Sequence, residues 1–247
     1  MQGLITIDFG NSNPHAGIFL KHQSDWKLIK VVPWSELPIH LEQLKLNPTN
    51  SSLVLCEVKA REDDLIPYIN QGFLLTRVKS YWKGKRFAGM PVSYATTLGE
   101  DRLIEAFYVY KKLKEPSLII DAGTFLTMDV VTQEGFRGGY IIPGVSAYSE
   151  TFKKGEQLKE TVLNTEVSWQ LPQATQEAMR DSYTAFAALA QKLVQEHKLT
   201  KIHLTGGNAL FWERLLQLPE SGVDVQVQAD LIHLALHFWM TTQIEPL

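Results

Sequence analysis

The sequence predicts a mixed α/β fold built from two similar lobes. Three observations carry this. Apolar strands broken by polar turns precede helical patterning, and that order occurs twice along the chain. A strand-ending aspartate with a glycine two residues on marks both occurrences, since Asp8 and Gly10 recur as Asp121 and Gly123, each 113 residues later. An apolar strand precedes and follows the turn in both halves, and a period of that length is half a protein rather than a solenoid unit.

In the first half, Leu4-Ile5-Thr6-Ile7 reads as a buried strand that ends in the turn residues Asp8-Phe9-Gly10-Asn11-Ser12-Asn13-Pro14. Ala16 to Leu20 resumes a strand and Trp26 to Val32 supplies a third, which predicts a hairpin with one further strand. From Asp101 to Lys114 the apolar residues Leu103, Ala106, Phe107, Tyr110 and Leu113 fall on one helix face. The second half opens on Ser117-Leu118-Ile119-Ile120-Asp121-Ala122-Gly123-Thr124, with strands predicted at Thr127 to Thr132 and Arg137 to Ile142. Gln176 to His197 reads as one helix. Lys201 to Thr205 reads as a strand, and a helix through Leu210, Phe211, Leu215 and Leu216 follows Gly206-Gly207. The boundary falls at Lys114-Glu115-Pro116, giving lobes 1–114 and 115–247, and without a low-complexity linker the two are expected to pack tightly.

With 247 residues, 45% hydrophobic and 21% charged, the chain is neither disordered, collagenous nor a coiled coil. A net charge of −3 gives no electrostatic reason to expect nucleic acid or an anionic membrane as a partner. The single cysteine, Cys56, excludes an intramolecular disulfide and any multi-cysteine zinc site, and its apolar run Leu53-Val54-Leu55-Cys56 reads as buried. There is no basic segment at the start, and Asp8 interrupts what would be a leader's apolar stretch. The longest apolar run, Leu231 to Met240, is too short to span a bilayer and carries His233 and His237, so a cytoplasmic protein is expected.

Turns rich in Gly, Asn and Ser present backbone N–H groups and short polar side chains that suit phosphate oxygens, and a strand-end carboxylate can hold Mg²⁺. An ordinary Asx turn accounts for either turn alone; the repeated pair points to a nucleotide triphosphate gripped from two sides. No Walker-type run and no G-x-G-x-x-G follows a strand. Gly99-Glu100-Asp101-Arg102 opens a helix at its positive end, where Asp101 could accept a hydroxyl proton and Arg102 could pair with a carboxylate or phosphoryl group; a capping aspartate beside a solvated arginine is the plainer reading. Thr205-Gly206-Gly207-Asn208-Ala209 could admit a flat base against the backbone or be a plain tight junction, and Gly138-Gly139 and Pro143-Gly144 are open in the same way. His233 and His237 read as a satisfied helix face. Arg77, Lys79, Lys83, Lys85 and Arg86 with Tyr81 and Trp82 read as a solvated loop or subunit contact, and Glu62-Asp63-Asp64 as helix-start charge.

Taken in order and spacing, Asp8 to Asn13, Gly99 to Arg102, Asp121 to Thr124, Gly138 to Gly144 and Thr205 to Ala209 resemble type III pantothenate kinases, members of the acetate and sugar kinase/Hsp70/actin superfamily. The resemblance spans nearly the whole chain. It implies two ribonuclease-H-like lobes of the actin-like ATPase duplication with a nucleotide cleft between them. It further implies transfer of the ATP γ-phosphoryl group to the 4′-hydroxyl of pantothenate, the first step towards coenzyme A. By resemblance, Asp8, Phe9, Gly10, Asn11, Ser12, Asn13, Pro14 and His15 would bind ATP phosphates, with Asp8 near Mg²⁺, and Thr124 would touch ATP. Asp101 would be the catalytic base within the pantothenate-contacting stretch Gly99, Glu100, Asp101 and Arg102, with Tyr94 and Thr175 also lining that pocket. Asp121 would sit at a monovalent cation, potassium or ammonium, and the protein would be a homodimer. The chain departs from the family pattern at Ser12, which keeps the hydroxyl, and at Pro14, His15, Glu100, Phe125-Leu126 and Asn208. Another small-molecule kinase of the superfamily, or a non-catalytic regulatory relative, is the alternative; Asp8, Asp101, Arg102, Asp121 and Thr124 standing together argue against the latter.

Overall fold

The computed structural model describes residues 2–155, 158, 162–165, 170–216 and 222–244. The chain divides into two compact units, residues 1–112 with 230–247, and residues 113–229. The first crossing lies within two residues of the boundary read from the sequence. The second crossing returns the last helix to the first unit, whereas the sequence reading runs the second lobe through to residue 247.

The first unit opens with β1 (Gln2–Phe9), β2 (His15–His22) and β3 (Asp25–Pro33), an antiparallel meander. Helix α1 (Leu37–Gln43) leads to β4 (Ser51–Glu57), which pairs parallel with β1, and α2 (Glu62–Asn70) leads to β5 (Leu74–Arg77), parallel to β4. The sheet order is β3-β2-β1-β4-β5. A small three-stranded sheet, β6 (Trp82–Lys83), β7 (Arg86–Phe87) and β8 (Met90–Pro91), precedes α3 (Glu100–Tyr108).

Strand β1 reads as a continuous apolar run because both of its faces are covered. Ile5, Ile7 and Phe9 point into a core with Leu37, Leu41, Leu53, Leu55, Leu65 and Tyr68. By the two-residue alternation of a strand, Thr6 turns to the opposite face, where it meets His233 of the last helix.

The second unit repeats the arrangement. Strands β9 (Ser117–Ala122), β10 (Phe125–Thr132) and β11 (Gly135–Pro143) form the meander, and α4 (Val145–Thr151), α5 (Thr175–Asp181) and α6 (Ala185–Glu196) follow. Strand β12 (Lys201–Thr205) pairs parallel with β9, and after α7 (Ala209–Leu215) comes β13 (Asp224–Val227), parallel to β12. The order is β11-β10-β9-β12-β13, the same sequence of roles as in the first sheet. Its core joins Leu118, Ile120, Leu126 and Met128 to Tyr183, Leu204 and Trp212. The chain then returns to the first unit as α8 (Leu231–Ile244), which packs on α3, β1, β2 and β4.

Two helices differ from the sequence reading. The predicted helix 176–197 is broken by a tight turn at Ser182–Thr184, where Ser182 Oγ donates to Met179 O at 2.7 Å and Thr184 Oγ1 to Asp181 O at 2.6 Å. Such back-bonding hydroxyls compete with the helical ladder. Helix α3 continues only as a π turn, Val109–Leu113, and Lys114 closes it with φ of 59°.

Mid-strand Gly17 allows α8 to come down on the sheet. A Cβ there would lie 2.6 Å from Thr6 Oγ1 and 2.7 Å from His233 Cγ. Gly17→Ala is therefore expected to destabilise the protein by about 1–3 kcal/mol, the usual cost of overpacking. A lowered urea midpoint at unchanged slope checks this.

Candidate functional site

Asp8 is the penultimate residue of β1, flanked in the sheet by His15 on β2 and Cys56 on β4. Its carboxylate therefore emerges at the carboxyl end of a parallel strand pair, the edge where open α/β sheets present ligand-binding groups. The turn beyond it leaves Asn11, Ser12 and Asn13 exposed, while Phe9 is buried and meets Trp34 edge-on at 4.9 Å. Phe9 thus offers a ligand its backbone only; its carbonyl accepts from the Val58 N–H at 3.1 Å. The Pro14 carbonyl accepts from the Trp34 N–H at 3.0 Å. His15 Nε2 stands 3.4 Å from Asp8 Oδ2, and its Nδ1 is 2.9 Å from Nε2 of the buried His233.

A second cluster forms at the start of α3. Asp101 Oδ1 accepts from the Arg102 backbone N–H at 2.8 Å, and burial pushes its carboxyl above the ordinary range while that bond and the Arg102 charge pull it back. Gly99 caps the helix in extended conformation, and a Cβ there would collide with Asp101 Oδ1. Arg102 is buried with its guanidinium 5.2 Å from the centre of the Tyr94 ring. The structure thus brings Tyr94, Gly99, Asp101 and Arg102 together.

Glu100 turns aside towards β4, where its Oε2 accepts from the Glu57 N–H at 3.1 Å. Burial raises its pKa. It lines a polar cavity of about 310 Å³ with Glu57, Arg77 and Lys79. Arg77 pairs there with Glu57 at 3.0 Å and Glu62 at 3.3 Å. The extra negative charge that the sequence sets beside Asp101 is therefore occupied with the end of β4 and answered by basic neighbours.

In the second unit, Asp121 is the penultimate residue of β9, between Thr127 and Thr205. Gly206, at φ of +81°, closes over it, and any Cβ would strike Asp121 Oδ1 and the Ala122 backbone. The Asn208 N–H donates to Ala122 O at 2.9 Å. Gly144 packs on the same turn, donating its N–H to Thr124 O at 3.0 Å, and a Cβ there would strike the Gly123 and Thr124 carbonyls. Thr124 is exposed at the tip, and the glycine-pair motif, Pro143-Gly144 and Asp121 to Thr124 thus form one constellation. Thr175, also predicted to contact substrate, is the exposed first residue of α5.

The type III pantothenate kinase family model matches residues 4–196. This chain belongs to that family. A type III pantothenate kinase of Wolinella succinogenes is 27% identical over 194 residues, covering 74% of this chain and 79% of the relative. Among solved structures, a Baf-family protein of Campylobacter jejuni aligns at TM-score 0.61 and 20% identity over 97% of this chain and 98% of its own. A protein of 2-dehydro-3-deoxygalactonokinase type from Sinorhizobium meliloti aligns at 0.54 and 11%, over 99% and 100%. These structural likenesses speak to the fold alone, an α/β duplication with two five-stranded sheets of matching order. Membership gives the enzyme class, a kinase that phosphorylates pantothenate in coenzyme A biosynthesis.

The remaining features of this pantothenate kinase fall into place as architecture. Cys56 is fully buried, with its thiol pushed well up by burial and by neighbouring carboxylates including Asp8 and Asp101. His237 stacks on Phe19 at 4.4 Å, and burial lowers its pKa to about 4. Glu62-Asp63-Asp64 opens α2, as read from the sequence. Among the described residues no helix is long and apolar enough to cross a membrane, and no group of three or more His, Cys, Asp or Glu could hold a metal. The sequence reading missed the partnership of His15 with His233; the one signal for it was glycine at position 17, inside a predicted strand.

A buried carboxylate that is raised in the folded state costs stability once pH exceeds its folded pKa, and that cost is relieved as pH falls below it. Asp101→Asn removes the ionised group while keeping an acceptor for Arg102. It is expected to melt no lower than wild type at pH 7, with the advantage disappearing towards pH 4. Thermal unfolding across that range checks the sign.

Proposed function

We propose that this kinase uses Asp101 as general base for attack of the pantothenate 4′-hydroxyl on the ATP γ-phosphorus. The observation that carries the reading is the half-buried Asp101 carboxylate at the start of α3, set beside Arg102 and Tyr94, where desolvation raises its pKa above the ordinary carboxylate range. The hydroxyl proton passes to Asp101, the new O–P bond forms as the bond to the β-phosphate oxygen breaks, and ADP leaves. Such a transfer asks the protein for positioning and charge neutralisation rather than covalent work.

Arg102, held against Tyr94, supplies a fixed cation for the substrate carboxylate, and Gly99 and Glu100 frame that stretch. Thr175 is assigned to the same substrate. The turn from Gly10 through the exposed Asn11, Ser12 and Asn13 supplies amides and short polar groups to the phosphates, Phe9 contributes backbone alone, and Pro14 has no N–H to offer. Thr124 contributes its exposed hydroxyl to ATP. Asp8 is a hard oxygen donor that fits Mg²⁺, which when bound would offset phosphate charge. Asp121, packed among backbone groups under Gly206, fits a monovalent cation, potassium or ammonium. A cytoplasmic homodimer completes the proposal by family analogy.

Purified protein with ATP, Mg²⁺ and pantothenate tests this in potassium and in sodium buffer. Potassium-dependent 4′-phosphopantothenate formation is expected, falling at least about 100-fold in Asp101→Asn. Folded wild type that phosphorylates other hydroxyl acceptors but not pantothenate would contradict it. Gly206→Ala, which crowds Asp121, is expected to raise the potassium concentration needed for half-maximal rate several-fold while leaving the ATP KM within about twofold.

A further inference from the structure

Asp8 and His15 face each other across the phosphate turn at a distance that suits neither a good hydrogen bond nor simple separation. His15 Nε2 is 3.4 Å from Asp8 Oδ2, beyond the ordinary N–H···O range of about 2.7–3.2 Å. Two donor atoms each about 2.1 Å from one ion, at angles between a right angle and the tetrahedral angle, stand about 3.0–3.4 Å apart. We propose that Asp8 Oδ2 and His15 Nε2 are joint ligands of the divalent ion that accompanies the nucleotide, and that this kinase therefore takes Mn²⁺ or Co²⁺ in preference to Mg²⁺. The inference rests on the reading that Asp8 lies at that ion.

The wiring behind His15 supports a lone pair on Nε2. Thr6 Oγ1 lies 3.2 Å from Gly17 O and 2.7 Å from His233 Nδ1. When its one proton goes to Gly17 O, it accepts from His233 Nδ1–H. His233 Nε2 then accepts from His15 Nδ1–H at 2.9 Å, and the His15 lone pair is on Nε2, facing Asp8. The reverse wiring, with Thr6 donating to His233, puts an N–H on His15 Nε2 and serves the ion-free protein. Both wirings use neutral rings, since each of the two ring contacts in the chain takes one proton.

A histidine whose second nitrogen is anchored to a buried partner is the usual support for a metal ligand, because it fixes the tautomer and aims the ring. Gly17 is the residue that admits this support, since a Cβ would press on the His233 ring. His15 keeps 33% of its side chain exposed and Asp8 14%, so the pair is reachable by an ion carrying phosphate oxygens. With two protein ligands, phosphate and water oxygens fill the other positions. Mg²⁺ dehydrates reluctantly and keeps to oxygen ligands, so an imidazole nitrogen favours a first-row transition ion over it, Co²⁺ more strongly than Mn²⁺.

Pulsed electron paramagnetic resonance of the protein with Mn²⁺ and ATP reads directly bound nitrogen. Wild type is expected to show ¹⁴N modulation that changes to the ¹⁵N pattern on histidine labelling and disappears in His15→Phe. The same variant is expected to lose about tenfold in Mn²⁺ affinity and less than threefold in Mg²⁺ affinity. His15→Asn serves the same comparison if the phenylalanine variant does not fold. Wild type without nitrogen coupling, or coupling that persists without His15, overturns the proposal. Mg²⁺-supported pantothenate turnover alongside absent nitrogen coupling would sink this inference and leave the kinase reading standing; coupling without turnover would do the reverse.

Discussion

Close approach of main chain to a carboxylate at the end of a strand or the start of a helix is the constraint on which both candidate clusters depend. Asp8 and Asp121 each occupy the penultimate position of a strand whose parallel neighbour, β4 or β12, carries the chain onward. Asp101 occupies the first turn of α3. Beside these carboxylates the sequence sets glycine where a side chain would collide, at Gly206 over Asp121 and Gly99 over Asp101. The glycines are space reserved for oxygen atoms. Gly206 alone of the two also needs the left-handed backbone.

Burial sets the proton affinity of the two acids at the start of α3. Asp101 is shielded enough to raise its proton affinity, yet the Arg102 N–H and charge keep it within reach of ionisation. Glu100 is raised by the same desolvation but is spent on the Glu57 amide, so two adjacent acids take different duties according to where their side chains turn. The cost in folding stability is small against the tens of buried apolar side chains in the two cores, and it is localised at the start of α3.

Much of this was legible in the sequence. The Asp-x-Gly repeat, the flanking strands and the five glycine-rich motifs are local patterns, and they located Asp8, Asp101 and Asp121 together with their turns. What escaped was non-local. The placement of β4 beside β1 depends on a pairing across the whole meander, and Leu53 to Cys56 by itself says only that the segment is buried. The return of α8 to the first unit follows from packing of a helix that is apolar nearly all round, a pattern that names no partner. His233 meets Thr6 across 227 residues, a contact no spacing rule encodes. The break in the long predicted helix hinged on Ser182 and Thr184 hydroxyls turning back onto the chain, which periodicity of apolar residues does not register.

The central claim is that Asp101 performs chemistry while the surrounding Tyr94, Gly99 and Arg102 hold the substrate. Calorimetric titration of pantothenate into wild type and into Asp101→Asn, Arg102→Ala and Tyr94→Ala separates the two roles. The account predicts that Asp101→Asn binds pantothenate within about threefold of wild type, whereas Arg102→Ala, stripped of the charge that meets the carboxylate, binds at least about tenfold more weakly. Loss of pantothenate binding in Asp101→Asn with undiminished binding in Arg102→Ala would contradict it.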